Sequence, residues 1–185
     1  MGYAEAYLDA VRANLEKVAQ REAERLRQAA ARIAGAIAAG HRAFEFLQGH
    51  FLPIEAARGH EDRPLVFTPI TLPDAAHLRP GDVLVMSHQY GVLPECVDMA
   101  FAARRHGAYI VAMCPPSDPA VIVRSHPSGK SVPDLADLVI STHIPAGDVA
   151  LQVPAGGPGA CPTSGTIQAA MYWALVCAVA ERLRP

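Results

Sequence analysis

The chain lacks several features that would have typed it quickly. Its 185 residues contain four cysteines, at 96, 114, 161 and 177, and no two have CxxC spacing. This argues against a zinc ribbon or a redox dithiol, and the thiols read as reduced side chains of a cytoplasmic protein. Basic residues form no cluster. Sixteen Lys and Arg stand against eighteen Asp and Glu, for a net charge of -2, so no electrostatic footprint for nucleic acid is present. The apolar run at 167–180 is too short to span a bilayer, and Glu5, Asp9, Arg12, Glu16 and Lys17 interrupt any signal-peptide core at the N-terminus. The histidines show no HxH or HxxxH spacing. The Gly-rich segment at 154–160 has no Lys-Ser/Thr ending, so no nucleotide fingerprint is present and no cofactor is expected.

What is present is a chain that is 51% hydrophobic, enough for a sizeable core. Residues 3–39 carry Leu8, Val11, Leu15, Val18, Leu26, Ile33 and Ile37 at helical spacing, with Gly40 as the stop. The periodicity predicts one long helix whose stripe exceeds what a small domain can cover. Either its outer part is a solvated face or it packs against another subunit, and the second is the expectation.

After Gly40, short apolar runs alternate with helical segments. Strands are expected at 43–47, 65–67, 82–86, 109–113 and within 135–140. Helices are expected from Pro53, at 94–106 with Gly107 as the stop, and at about 166–183. Alternation of this kind predicts a parallel sheet covered on both faces. Ligands of such sheets sit beyond the carboxyl ends of the strands, near the point where strand order reverses. The residues to watch are therefore Gly49-His50, Ser87-His88-Gln89, Cys114 and Ser141-Thr142-His143, with the loop segment 125–130. Four of the eight histidines, His50, His88, His126 and His143, fall at or near strand ends. Ordinary polar loops would place them there too. If they converge, two or three offer metal ligands, with Asp148 or Cys114 as a further ligand, or one offers an acid/base.

The strand GDVLVMS, the helix PECVDMAFAARRHG, the strand AYIVAMC, the segment SHPSGKSVPDLADLVI and the later CPTSGTIQAAMYWALV together resemble the sugar isomerase (SIS) domain family. The nearest branch is its small, uncharacterised phosphosugar-isomerase-like members. The resemblance covers most of the chain and is most specific over 122–149. It implies a flavodoxin-like three-layer sandwich with a five-stranded parallel sheet. Residues 1–185 would form a single SIS-like domain, with 1–40 as a helical extension in the oligomer interface. It also implies a dimer or tetramer, of this chain or with a paralogous SIS subunit, that binds a sugar phosphate. Such a protein either interconverts aldose and ketose phosphates or senses the ligand without reacting it.

Carried over residue by residue, the resemblance makes His50, His88 and Glu55 the catalytic candidates. The substrate-binding candidates are Gly49, Ser87, Gln89, Gly91, Ser125, His126, Ser128, Lys130, Thr163, Ser164 and Gln168. Thr163 and Ser164 also fit a plain capping role for the last helix. Two positions depart from the family pattern, because Phe51 and Tyr90 stand where phosphate-binding hydroxyls belong. An anion is still expected against the 87–91 turn, on backbone N–H groups at the start of the helix near Pro94.

Overall fold

Runs of apolar residues four to five long, bounded by turn residues, form the central strands. The computed structural model describes residues 2–49, 66–116, 123–154, 157 and 159–184. Five parallel strands make one sheet: β1 (Ala43–Leu47), β2 (Thr68–Pro69), β3 (Val83–Ser87), β4 (Tyr109–Met113) and β5 (Leu138–Ile140), in the spatial order β2-β1-β3-β4-β5. Strand order therefore reverses between β1 and β3. The sheet is covered on both faces, as expected. Val83, Val85, Val111 and Met113 pack with one set of helices, while Leu84, Met86, Ile110 and Ala112 pack with the other. Alternate residues of a strand point to opposite faces, so a continuously apolar strand serves both layers.

On the first face lie α1 (Tyr3–Arg21), α2 (Ala23–Ala38) and α5 (Ser164–Arg182). On the second lie α3 (Pro94–Arg105), the short α4 (Val132–Leu135) and a 3-10 turn at Pro73–His77. A two-stranded antiparallel ribbon, β6 (Leu151–Gln152) with β7 (Gly159–Ala160), precedes α5. Among the described residues no helix is long and apolar enough to cross a membrane.

The strands at 43–47 and 109–113 stand where the sequence placed them. Others shift for local reasons. β3 begins one residue late because Asp82 turns its carboxylate onto the N–H groups of Arg42 (2.9 Å) and Arg79 (3.0 Å). The second strand pairs at Thr68–Pro69 rather than 65–67; Leu65 lies outside the described residues, as does the segment after Pro53. Pro69 has no N–H to give, which suits an edge strand. The largest difference is in the N-terminal helical segment. It is divided at Glu22, whose backbone (φ -110°, ψ -1°) separates α1 from α2. Periodicity could not show this, because the cause is tertiary: Glu22 is buried and reaches the end of β5.

Candidate functional site

At the switch point, three expected residues come together. Gln168, in the second turn of α5, is fully buried, and its Nε2 donates to Ser87 Oγ at 2.9 Å. Ser87 Oγ in turn donates to the carbonyl of Met113 at 3.2 Å. Gly49 (φ 136°) closes the end of β1, and a Cβ there would stand 3.4 Å from Gln168 Oε1. The helix and the ends of β3 and β4 thus share one buried polar line, with the exit of β1 beside it. Polar side chains taken out of water need such partners, and this line fixes the Gln168 amide beside the crevice where open α/β sheets bind ligands.

The turn after β3 uses its donors internally. The N–H groups of Tyr90 and Gly91 donate to His88 Nδ1, at 3.2 and 2.9 Å. The lone pair of Nδ1 is therefore committed to the turn, and the neutral ring carries its proton on Nε2. In this geometry His88 is a cap for its own turn, and two of the N–H groups expected to meet an anion are occupied. Tyr90 reaches over the edge, its phenol donating to the carbonyl of Pro145 at 3.2 Å. Burial, and then the nearby Asp148 carboxylate, push its pKa up. Gln89 hydrogen-bonds the Tyr90 phenol. Gly91 has a packing role. Its φ is 66°, and a Cβ would meet Pro133 Cδ at 2.9 Å and Val132 Cβ at 3.1 Å.

The 125–130 segment does not join the switch-point line. Ser125 Oγ donates to the carbonyl of Val92. His126 bonds Asp98 on α3 through Nε2 (3.1 Å) and Ser128 Oγ through Nδ1 (2.7 Å), with its ring 5.8 Å from that of Phe101. The N–H of Lys130 donates to Ser128 Oγ. These contacts pin the loop to the outer side of α3.

A second polar concentration lies at the end of β5 and the start of α5. Asp148 Oδ1 accepts from the N–H groups of Thr163 (3.0 Å) and Ser164 (3.1 Å). The helix N-terminus, which favours negative charge, is thus filled by a side chain of the chain itself. The hydroxyls of Thr163, Ser164 and Thr142, together with Asp148 Oδ2 and Asn14 Oδ1, are buried without a hydrogen-bond partner among the described residues. Nearby, Glu22 accepts from His143 Nε2 (2.9 Å), the N–H of Ser141 (3.2 Å) and Arg25 Nη1 (3.2 Å). His143 itself has φ 51°.

His50, Phe51 and Glu55 lie outside the described residues. Among the described residues no three His, Cys, Asp or Glu side chains converge as metal ligands; His88, His126 and His143 serve separate partners. Cys114 is buried and its thiol is pushed up by that burial, which suits a small hydrophobe rather than a nucleophile. The sequence reading missed Glu22, Asn14 and Glu45. Glu45 is buried in β1 and accepts from the Tyr172 phenol at 2.7 Å. One signal was available for the first two. Asn14 and Glu22 lie four residues either side of Val18, on the apolar stripe itself, where a polar residue has to find a partner.

No protein-family model matches the chain. Among curated proteins it is similar to the UPF0309 protein of Shouchella clausii, 29% identical over 106 residues that make up 57% of this chain and 43% of that protein. It is also similar to the UPF0309 protein of Geobacillus kaustophilus, 33% identical over 94 residues, 51% of this chain and 38% of that one. The match spans about two fifths of the length of these relatives. Among solved structures it is similar to the phosphoheptose isomerase of Neisseria gonorrhoeae (TM-score 0.65, 12% identity, 98% of this chain and 97% of that one). The phosphoheptose isomerase of Francisella tularensis is also similar (TM-score 0.63, 13% identity, 97% and 95%). So is the Vibrio vulnificus NanR protein complexed with ManNAc-6P (TM-score 0.59, 11% identity, 98% and 62%). The fold is that of the SIS phosphosugar isomerases, as the sequence resemblance implied.

Proposed function

We propose that the chain binds a sugar phosphate at the carboxyl end of its sheet, in the crevice between β1 and β3, as a ligand-binding subunit or sensor built on the SIS architecture. The observation that carries this reading is the buried line from Gln168 through Ser87 to the Met113 carbonyl, set beside Gly49 at the point of strand reversal. It fixes an amide where a ligand hydroxyl would meet it. Structural neighbours that are phosphoheptose isomerases, and one complexed with ManNAc-6P, support the ligand class. The self-capped turn after β3 favours binding without chemistry, since the imidazole lone pair that a base needs is already engaged.

A thermal-shift screen against pentose, hexose and heptose phosphates tests the reading. Ligand at a hundred times its Kd stabilises by about 2.7 kcal/mol, which raises Tm by roughly 5–10 °C for a chain of this size. Gln168→Leu abolishes the shift. No shift with any sugar phosphate refutes the proposal.

The second reading is an aldose–ketose isomerase, favoured by the fold shared with the two phosphoheptose isomerases. Its catalytic groups would be His50 and Glu55, and its signature is solvent deuterium entering the substrate carbon next to the carbonyl. Binding without such exchange leaves the sensor reading standing. The chain is further proposed to act in the cytoplasm as a homo-oligomer, joined through the apolar groove of about 360 Å³ between α1, α2 and α5 that Leu15, Val18, Leu26 and Met171 line. Light scattering that returns one chain per particle rejects that assembly.

A further inference from the structure

A cavity of about 300 Å³ lies between α1, the segment after β5 and the start of α5, apart from the Gln168–Ser87 line. Its polar wall comes from Asn14, Lys17, His143 and Thr163, against an apolar wall that includes Pro145 and Val149. Asn14 and Lys17 are three apart on α1 and so share a face. The volume is at the lower end of what small-molecule sites occupy.

Three properties of that wall point to a ligand of one kind. First, Lys17 is the only permanently charged side chain lining the cavity, and it makes no ion pair among the described residues. The two nearby carboxylates, Glu22 and Asp148, do not line the cavity. Glu22 is held by Arg25, His143 and the Ser141 N–H, and Asp148 places one oxygen on the first N–H groups of α5. The charge on the cavity wall itself is therefore positive, and it attracts an anion. Second, a carboxylate can only accept, so the bond from His143 to Glu22 places the ring proton on Nε2 and leaves Nδ1, which has no partner among the described residues, as an acceptor. Third, Asn14 Oδ1 and Thr163 Oγ1 belong to side chains more than nine-tenths buried and have no hydrogen-bond partner among the described residues. Acceptors of this kind, beside a lone ammonium, suit a molecule that brings hydroxyl donors along with its charge.

We propose that this cavity is a second binding site, distinct from the switch-point crevice, for a small hydroxylated anion. Lys17 takes the anionic group and His143, oriented by Glu22, accepts a ligand hydroxyl. The inference does not depend on the sugar-phosphate reading. The anionic group is a phosphate or a carboxylate, and the test separates the two.

Calorimetric titrations of glycerol 3-phosphate and of glycerate into the full chain at neutral pH provide that test. Wild type binds at least one of them, and the one bound identifies the anionic group. Lys17→Gln, an exposed position that folding tolerates, raises Kd tenfold or more while circular dichroism and Tm stay as in wild type; His143→Asn, whose side chain accepts a positive φ, raises Kd as much and lowers Tm, since it removes a partner of the buried Glu22. Arg32→Gln, at the opposite end of the sheet, leaves Kd unchanged. If neither compound binds wild type, or if Lys17→Gln binds as wild type does, the inference is overturned. If Gln168→Leu abolishes binding while Lys17→Gln retains it, the anion sits in the switch-point crevice. That outcome overturns the second site and leaves the proposed function intact.

Discussion

The turn at 87–91 and the junction of residues 141–148 with the start of α5 lie on the same edge of the sheet, and both contain residue types that hold anions. They differ in what the chain does with its own polar atoms. At the turn, the two N–H groups that point together are met by His88 Nδ1, and Tyr90 spans to Pro145. At the junction, five buried oxygens from Asn14, Thr142, Asp148, Thr163 and Ser164 find no partner among the described residues. Leaving such an atom unsatisfied costs about 1–3 kcal/mol, so the contrast is energetic as well as geometric. A count of donors in the sequence favours the turn as the ligand site. A count of polar atoms left over among the described residues favours the junction.

The largest effect that tests this contrast is alkaline. Cys114 lies under the turn, its sulfur 3.4 Å from where a Gly91 Cβ would stand, and Cys96 is buried on the same face. Burial pushes Cys96 up to about 12 and Cys114 upward as well. In the unfolded chain these thiols lose their protons near about pH 8.5, while the folded chain keeps them. The unfolded state then binds fewer protons, and stability falls as pH rises, by about 1.4 kcal/mol per pH unit for each thiol. Urea midpoints should decline steadily from pH 9 to 11 and hold level from pH 6 to 8. A level profile throughout would mean that the floor of the turn is open to water.

Gly91→Ala comes next. It combines a left-handed backbone, about 1–2 kcal/mol, with overpacking against Pro133 and Val132, about 1–3 kcal/mol, for roughly 3 kcal/mol by denaturant titration. A neutral result would show that the turn yields easily. Asp148→Ala strips the acceptor from the Thr163 and Ser164 N–H groups and should cost roughly 2 kcal/mol, with Asp148→Asn recovering part of it. Full stability in the alanine variant would mean that water already serves the start of α5. The smallest effect is His88→Ala, about 1 kcal/mol in stability, yet it is the most informative. It frees the Tyr90 and Gly91 N–H groups, so inorganic phosphate should bind at least tenfold more tightly than to wild type. If affinity does not change, the turn is closed by Tyr90 rather than by the imidazole.

Most of the sheet could be read from the chain. Val83, Leu84, Val85 and Met86 are consecutive apolar residues, and a strand buried on both faces requires that pattern. Pro94 and Gly107 mark the two ends of α3 because one lacks a donor that the first turn does not use and the other adopts a positive φ. Gly49 and Ser87 could be nominated from their places after strands, and Gln168 from the family resemblance. The roles of His88, His126 and Glu22 could not. A histidine two or three residues from free N–H groups caps them or faces outward with similar local propensity, and only the packed neighbours decide which.

Apolar periodicity and turn chemistry along the chain determined the layers, the parallel sheet and the edge on which a ligand would sit. These are local properties, since each strand or helix buries its own face wherever it docks. The tertiary structure alone decided that the helical segment breaks at Glu22, that His143 receives a carboxylate 121 residues away in sequence, and that Asp148 rather than a ligand occupies the N-terminus of α5. The partner of a buried polar group is whatever the fold brings within about 3 Å, and no local pattern encodes a distance between segments that meet only when the sheet has formed.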